Sequence, residues 1–216
     1  MKTEGASDRD HMIRLLRRRG IRDERVIAAM DAIPREQFIP EAFRTDTYGD
    51  HPISIGFGQT ISQPWMTAFM TQVLELRGSE RVLEIGTGCG YHTAVLAQMA
   101  ASVVTIEYIP ELAAVAEENL RRLGLEKNVT FLSGDGSGGV PEHAPYDAIL
   151  VAAGAPSTPQ ALLDQLDSDG RLVIPVGSLD DQELRLITRH GNAFQSETVS
   201  LCRFVPLRGS EGWDPS

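Results

Sequence analysis

The chain is poor in cysteine, in aromatic residues and in net positive charge, and each shortage excludes a class of protein. Of its 216 residues, 2 are cysteine and 6% are aromatic. Cys89 and Cys202 form no metal-binding or redox spacing, and a chain of this size needs no disulfide to fold. The formal net charge of −10 disfavours a nucleic-acid-binding surface, which needs a basic patch. We therefore expect no metal and no nucleic-acid partner.

Long hydrophobic runs are also missing. No apolar stretch approaches the roughly 18 residues that a membrane span requires. The first residues, MKTEGASDRDHM, lack the basic and apolar regions of a secretory signal. The sequence therefore predicts a cytoplasmic protein with no membrane partner. A hydrophobic content of 42% and a charged content of 23% are typical of a globular domain, and a monomer is the default expectation.

Strand and helix patterns alternate through the middle of the chain. The expected strands lie at 81–86, 102–107, 128–136, 146–154 and 171–177, and the expected helices between them at 92–100, 110–124 and 159–166. This alternation is typical of βαβ units and of a parallel sheet with helices on both faces. Helical patterns at 8–33 and 64–76 precede these units. Segments of period two at 182–191 and 196–207 follow them and predict an antiparallel pair at the sheet edge.

A glycine-rich turn, EIGTGCG at 84–90, joins the first of these strands to the next helix. Glycines at such a turn let the backbone approach a ligand, and the helix N-terminus presents unpaired N–H groups. The spacing is G-x-G-x-G followed by Tyr91, and not the G-x-G-x-x-G of dinucleotide-binding proteins. Glu84, before the first glycine, would repel a pyrophosphate but suits a ligand that carries an ammonium or sulfonium group.

Two more acidic residues stand at the ends of the next strands, Glu107 after the second and Asp135 after the third. The carboxyl ends of parallel strands form the edge where such sheets bind ligands. Glu107 is placed to accept hydrogen bonds from two ribose hydroxyls, and Asp135-Gly136 to meet an adenine amino group. The expected ligand has a ribose, an adenine and a cationic amino-acid end but no phosphate. S-adenosyl-L-methionine meets each requirement.

From about Ile27 to Trp213 the chain resembles the protein-L-isoaspartate O-methyltransferases. Matching stretches include YGDHPISIGFGQTISQP, VLEIGTGCGYHTAVLA, GDGSGG, APYDAILVAAGAP and GRLVIPVG. GQTISQP and the late VPL are the most specific, whereas EIGTGCG is shared by many methyltransferases. The resemblance implies methyl transfer from S-adenosyl-L-methionine to the free α-carboxylate of L-isoaspartyl residues in damaged proteins and peptides, with S-adenosyl-L-homocysteine as the product. The ester then closes to a succinimide, which reopens partly as normal aspartate.

The resemblance also implies roles for individual residues. Ser62, within GQTISQP, would be the active-site serine, and the VPL segment would border the substrate peptide. The expected cofactor contacts are Thr60, Ile61, Ser62, Glu84, Gly86, Thr87, Gly88, Glu107, Tyr108, Asp135 and Gly136. The expected substrate contacts are Ile55, Gly56, Val205, Pro206 and Leu207. No residue is expected to bind a metal.

The chemistry needs no general base, because a carboxylate with a pKa of about 4 is ionised at neutral pH. No G-x-S-x-G elbow surrounds Ser62 and no partner base is apparent. Ser62 is therefore expected to orient the substrate and not to attack it, and it can also cap the helix that begins near Pro64. His51 and His92 are expected to be structural or surface residues.

The predicted fold class is α/β: a Rossmann-like class I methyltransferase with a mostly parallel, doubly wound sheet, an antiparallel C-terminal edge and N-terminal helices. We expect one methyltransferase domain over 1–216. Residues 1–78 would hold the N-terminal helices and a loop that covers the active site. Residues 79–177 would form the cofactor-binding βαβ core, and 178–216 the C-terminal antiparallel strands and tail.

Other functions stay open at the level of sequence. A methyltransferase that acts on aspartate of one dedicated peptide in natural-product maturation is an alternative, although the lack of an extra recognition domain favours general repair. A non-catalytic S-adenosylmethionine-binding module is disfavoured by the intact GQTIS. Methylation of nucleic acid is disfavoured because AAGAPSTP follows the fourth strand, where adenine amino-methyltransferases carry Asn-Pro-Pro-Tyr or similar.

Overall fold

The structure, a computed structural model, describes residues 4–213. Its α-helices are α1 (Glu4–Arg18), α2 (Glu24–Ala32), α3 (Pro64–Val73), α4 (Tyr91–Ala97), α5 (Pro110–Leu123) and α6 (Gln160–Asp164). Its strands are β1 (Ile53–Gly56), β2 (Gln59–Ile61), β3 (Arg81–Ile85), β4 (Ser102–Glu107), β5 (Val129–Ser133), β6 (Tyr146–Val151), β7 (Leu166–Gly177), β8 (Gln182–His190) and β9 (Ala193–Cys202). Among these residues no helix has both the length and the apolar character needed to cross a bilayer.

A seven-stranded sheet in the order β5-β4-β3-β6-β7-β8-β9 forms the centre of the molecule. The first five strands in that order run parallel, and β8 and β9 are antiparallel to their neighbours. The predicted fold class is thereby confirmed. The chain leaves β3 toward β4 on one side and later returns to β6 on the other. In open sheets of this kind the carboxyl ends of such neighbouring strands flank the ligand crevice.

Two apolar layers cover the central strands, because their side chains alternate between the faces of the sheet. Val82 of β3 packs in the core that also contains α1 to α4, whereas Leu83 and Ile85 pack in the core on the opposite face. The near-continuous apolar runs of β3 and β6 are those of strands buried on both sides. The carboxyl ends of these strands are consequently held in a rigid frame.

Helix α5 illustrates how local sequence sets an element that positions the site. It begins at Pro110, whose fixed φ suits a first helical turn, and it ends before Gly124, which has a φ of +68°. Its buried face consists of Leu112, Ala116 and Leu120. That face packs under the glycine turn, so the length and register of α5 define where the turn can lie.

The segment at 48–64, expected to be a loop, contains a small hairpin. Strands β1 and β2 pair with each other, with Ile53 opposite Ile61. The turn between them is tight, since Gly56 and Gly58 have φ values of +90° and +70°, which glycine adopts at little cost. The alternation of Ile53 and Ile55 in the sequence is a pattern that indicates a strand here.

Two C-terminal strands also differ from expectation in their bounds. β7 begins at Leu166 and not at 171, because that residue already pairs with Tyr146 of β6. β9 ends at Cys202 and not at 207. The residues that follow it leave β8 and hydrogen-bond with the backbone of Gly154, which brings them to the carboxyl edge of the sheet.

Candidate active site

A cleft opens at the carboxyl ends of β3, β4 and β6. Its walls are the glycine turn, the β1–β2 hairpin and the segment 205–208, and its empty volume is about 850 Å³, part of it open to solvent. The predicted site residues that line it are Ile55, Thr60, Ile61, Ser62, Gly86, Thr87, Gly88, Glu107, Tyr108, Gly136, Val205, Pro206 and Leu207. The topology thus gathers residues that are far apart in the sequence.

Glu107 lies in the wall of this cleft with only 6% of its surface exposed. Its Oε2 accepts a hydrogen bond from the Gly88 amide at 2.8 Å, and its Oε1 accepts one from the Ile109 amide at 3.0 Å. These amides fix the orientation of the carboxylate. Each oxygen of a carboxylate can accept more than one hydrogen bond, so Glu107 retains acceptor capacity on the side that faces the cleft.

Gly136 leaves the cleft wall flat next to Glu107. A Cβ atom at this position would lie 2.7 Å from Cγ2 of Ile106 and 3.1 Å from Cγ2 of Ile85. The first distance is too short for a real contact and the second is tight, so the isoleucine side chains would have to move. The close approach of the segment after β5 to β3 and β4 therefore favours glycine here.

Glu84 does not line the cleft but lies beneath the glycine turn, fully buried. Its Oε2 accepts hydrogen bonds from the hydroxyls of Thr93 and Thr105, and its Oε1 has no partner among residues 4–213. Burial raises the pKa of Glu84 to about 7, although the two hydroxyl donors act in the opposite direction. The sequence predicts that this charge points into the turn, but in the structure β3 directs the side chain beneath the turn.

Asp135 is also outside the cleft wall. Its Oδ1 accepts hydrogen bonds from the amide and the hydroxyl of Ser137, at 2.9 and 2.7 Å, and its Oδ2 accepts one from the amide of Ser210 at 2.8 Å. The carboxylate thus holds the C-terminal tail against the third βα turn. The tail is fixed a second time, because the indole nitrogen of Trp213 donates to the Gly154 carbonyl at 3.0 Å. Sequence reasoning assigned the tail no role.

Gly56 is the third predicted residue that does not line the cleft. It lies at the turn of the hairpin, whereas the neighbouring Ile55 faces the cleft. Consecutive residues of a strand point to opposite faces, so only alternate positions of β1 can reach a ligand.

Ser62 follows β2 at the base of the hairpin and lines the cleft. The N-cap of α3 is Gln63 and not Ser62, and the Trp65 amide in the first turn is bound by Asp50 Oδ1 at 3.0 Å. Ser62 is therefore not the predicted cap. Within the described part of the chain the Ser62 hydroxyl has no hydrogen-bond partner, whereas its carbonyl accepts one from Arg35 at 2.7 Å.

A second cavity adjoins the cleft on the side of α1 and β9. Thr60, Ser62, Ala152 and Val205 line both cavities. The outer walls of the second cavity include Arg19, Trp65, Leu201, Arg203 and Phe204. Trp65, Leu201 and Phe204 give this wall aromatic and apolar surface. The two cavities share a wall that includes Ser62.

The two histidines that the sequence brought into question have the surroundings of a structural residue and of a surface residue. His92 borders the cleft, but its Nε2 is 2.9 Å from the Thr71 hydroxyl, and desolvation lowers its pKa to about 3. The ring is consequently neutral at pH 7. His51 is exposed and pairs with Asp46 at 2.6 Å.

Some of the residues that line the cleft were not predicted from the sequence. Ala152 and Ala153 directly follow β6, and Ile109 and Arg208 directly follow the predicted residues Tyr108 and Leu207. The position of the two alanines at the carboxyl end of β6 is the feature of the sequence that could have indicated their place in the cleft. Within residues 4–213 no group of three or more His, Cys, Asp or Glu side chains is gathered closely enough to hold a metal ion.

Comparison with known proteins gives consistent matches over nearly the whole chain. The family model for protein-L-isoaspartate(D-aspartate) O-methyltransferase matches residues 7–212. A protein-L-isoaspartate O-methyltransferase from Koribacter versatilis is 48% identical over 212 residues, which is 98% of this chain and 95% of the relative. Protein-L-isoaspartate O-methyltransferase 2 from Marinobacter nauticus is 54% identical over 197 residues, which is 90% of each chain.

A solved structure gives the same result. A protein from Plasmodium falciparum that is assigned to this family was crystallised in complex with S-adenosyl-L-homocysteine. It superposes with a TM-score of 0.79 at 28% identity, over 92% of this chain and 97% of its own. The chain described here belongs to the protein-L-isoaspartate O-methyltransferase family.

Proposed function

We propose that this chain transfers a methyl group from S-adenosyl-L-methionine to the free α-carboxylate of L-isoaspartyl residues in damaged proteins and peptides. Methylation starts their repair, because the ester closes to a succinimide that reopens partly as aspartate. Relatives with 48% and 54% identity carry this activity in their names. The observation that carries the proposal is that two adjoining cavities share Ser62 in their walls. One cavity lies at the ligand edge of the sheet, and the other offers aromatic and apolar surface on which a peptide would pack.

The residues of the cleft fit this cofactor. Glu107 is oriented by two amides and keeps acceptor capacity for ribose hydroxyls, and Gly136 leaves a flat wall against which a purine ring can pack. The Oε1 of Glu84 is unpaired beneath the turn, where the cationic amino-acid end would lie, and a cation there would favour the ionised form of this carboxyl. When bound, S-adenosyl-L-methionine supplies an electrophilic methyl group carried on a sulfonium.

We propose direct cofactor contacts for the predicted residues that line the cleft, and indirect roles for Glu84 and Asp135. Glu84 would act through its field and through the threonines that support the turn. Asp135 would act through the tail that it anchors beside Gly136. Ile55 and the segment 205–207 would border the substrate peptide, because they line the cleft and Val205 also lines the adjoining cavity.

The loss of charge during methyl transfer limits the role of a hydrogen-bond donor such as Ser62. A carboxylate loses its charge as it attacks a sulfonium carbon, so strong donors would stabilise the ground state more than the transition state. The Ser62 hydroxyl can orient one carboxylate oxygen without neutralising it. Holding the reacting atoms in line can contribute about 7–11 kcal/mol. Ile55 and Ile61, both buried, exclude water from the hairpin side.

We also propose the cytoplasm as the place of action, and protein, not nucleic acid, as the partner. Cys89 and Cys202 are free thiols, as expected for a reducing compartment. The net charge of −10 supports a protein partner over nucleic acid.

The test is methylation of matched peptides that differ only in one linkage. Purified protein is incubated with methyl-labelled S-adenosyl-L-methionine and either an isoaspartyl or an aspartyl peptide of the same sequence. We expect label in the isoaspartyl peptide alone, as an ester that base removes. Equal labelling of both peptides, or of neither, would contradict the proposed substrate.

A further inference from the structure

Arg35 is a buried cation that the proposed chemistry does not use. Its side chain has 0% of its surface exposed, and within residues 4–213 no carboxylate lies at ion-pair distance from it. One of its three nitrogens, Nη1, has no hydrogen-bond partner there. Burying a charge without a counter-charge is unfavourable. An arginine at this place therefore calls for a specific explanation.

The guanidinium of Arg35 connects three separate segments. Its Nε donates to the Thr47 carbonyl at 2.9 Å, and its Nη2 donates to the Ser62 carbonyl at 2.7 Å. Its Cζ atom lies over the ring of Tyr91, 4.8 Å from the ring centre. Tyr91 is the first residue of α4 and itself lines the cleft. The ring is held from another side by Phe38, at 5.5 Å between ring centres.

These contacts join the two halves of the site. Ser62 belongs to the hairpin side, where the substrate carboxylate would be oriented. Tyr91 belongs to the glycine turn and α4, which form the cofactor side. The hairpin also packs against that side through apolar side chains, because Ile53, Ile55 and Ile61 belong to the same buried core as Tyr91. Apolar packing has no preferred direction, whereas the hydrogen bond from Arg35 fixes the position of the Ser62 carbonyl.

We propose that Arg35 is a positioning residue for methyl transfer, which fixes the Ser62 backbone relative to Tyr91 and the glycine turn. This inference rests on the function proposed above. A displacement of about 1 Å between reacting groups can cost about 10²-fold in rate. Lysine cannot replace arginine here, because an ammonium cannot donate in two fixed directions and also stack on a ring. Arg35→Lys should therefore keep the charge and lose the alignment.

Arg25 offers a matched control. It too connects distant segments through its guanidinium, by donating to the Leu76 and Met99 carbonyls. Neither Arg25 nor these partners line the cleft. Arg25→Lys therefore reports what the loss of such a connection does to the fold alone.

The experiment is a double-mutant cycle of Arg35→Lys with Ser62→Ala, with Arg25→Lys measured beside it. For each variant one measures kcat and KM on an isoaspartyl peptide, the Kd for S-adenosyl-L-homocysteine and the melting temperature. We expect Arg35→Lys to lower kcat about 10- to 100-fold, and to change that Kd less than about threefold. In the Ser62→Ala background the same substitution should have little further effect, because Arg35 acts through Ser62. Arg25→Lys should leave kcat unchanged.

Two results overturn the inference. One is a kcat of Arg35→Lys equal to that of the wild type, and the other is a double variant whose loss of kcat is the product of the losses in Arg35→Lys and Ser62→Ala. If Arg35→Lys does not fold at the assay temperature, Arg35→Gln, which retains one donor group, takes its place in the cycle. If neither variant folds, Arg35 is a requirement of the fold and the positioning role is rejected. An inactive wild-type protein would instead contradict the proposed function, so the two failures are distinguishable.

Discussion

Replacing Glu84 by glutamine should remove a pH dependence of stability that the buried carboxyl gives this protein. Glu84 has 0% of its surface exposed, and burial raises its pKa from 4.5 to about 7. The folded protein therefore binds this proton more tightly than the unfolded chain does. The stabilisation is fully present below about pH 4.5 and is lost as the pH rises through about 7.

The size of the effect follows from the shift. A rise from 4.5 to about 7 corresponds to about 3 kcal/mol in the free energy of unfolding, of which about 2 kcal/mol falls between pH 5.5 and 8. Glutamine has nearly the shape of the protonated carboxyl and can accept the same bonds from Thr93 and Thr105. It cannot ionise. As the pH rises from 5.5 to 8, the free energy of unfolding of the Glu84→Gln variant should therefore increase by about 2 kcal/mol relative to that of the wild type.

Urea unfolding at pH 5.5 and pH 8 measures this difference directly. The contributions of other titratable groups are shared by both proteins and cancel in the comparison. Glu142→Gln replaces an exposed carboxyl and serves as the control for the effect of a Glu-to-Gln substitution that removes no buried group. An unchanged pH dependence in Glu84→Gln would refute the reasoning, because another group would then be responsible for it.

Three further substitutions test the site. Ser62→Ala should lower kcat about 10- to 10³-fold, the upper figure being typical of a lost active-site donor, with cofactor affinity largely retained. Ser54→Ala, exposed in the same hairpin, is the control, and full activity of Ser62→Ala would exclude the proposed role of Ser62. Glu107→Ala should weaken S-adenosyl-L-methionine binding about 10- to 100-fold, since hydrogen bonds to charged groups are each worth about 1.5–3 kcal/mol; unchanged affinity in calorimetry would count against it. Gly136→Ala should weaken the same binding and destabilise the fold by about 1–3 kcal/mol, because its Cβ would meet an isoleucine methyl at 2.7 Å. Gly138→Ala, with nothing within 4 Å, should be nearly neutral, and equal effects of the two would contradict the steric explanation.

The sheet and its ligand edge could be predicted because their signals are local and repeated. Each core strand is an apolar run bounded by glycine, proline or a charged residue, and each crossover helix has an apolar face. The carboxyl ends of such strands must then share an edge. Glu107 reaches the cleft for this reason alone. Hairpin β1–β2 was missed because its strands are short and its glycines read as a loop.

Side-chain direction and distant partners could not be predicted. Glu84 and Glu107 occupy similar places at the ends of β3 and β4, yet one lies beneath the turn and the other in the cleft wall. Asp135 is held by Ser210, which is 75 residues later in the chain. The role inferred for Arg35 depends on contacts with Thr47, Ser62 and Tyr91 together. Such arrangements arise only when the packed fold brings remote segments into contact.

Repair itself can be measured by following one isoaspartyl peptide through repeated rounds of methylation and ester breakdown. The peptide is incubated with the protein and S-adenosyl-L-methionine, and its aspartyl and isoaspartyl forms are separated and quantified over time. We predict that the aspartyl form accumulates through a transient methyl ester and a succinimide, only when S-adenosyl-L-methionine is present, and more slowly with Ser62→Ala. An isoaspartyl peptide that stays unchanged with active cofactor, or a methyl group found at any other position of the peptide, would contradict the proposed function.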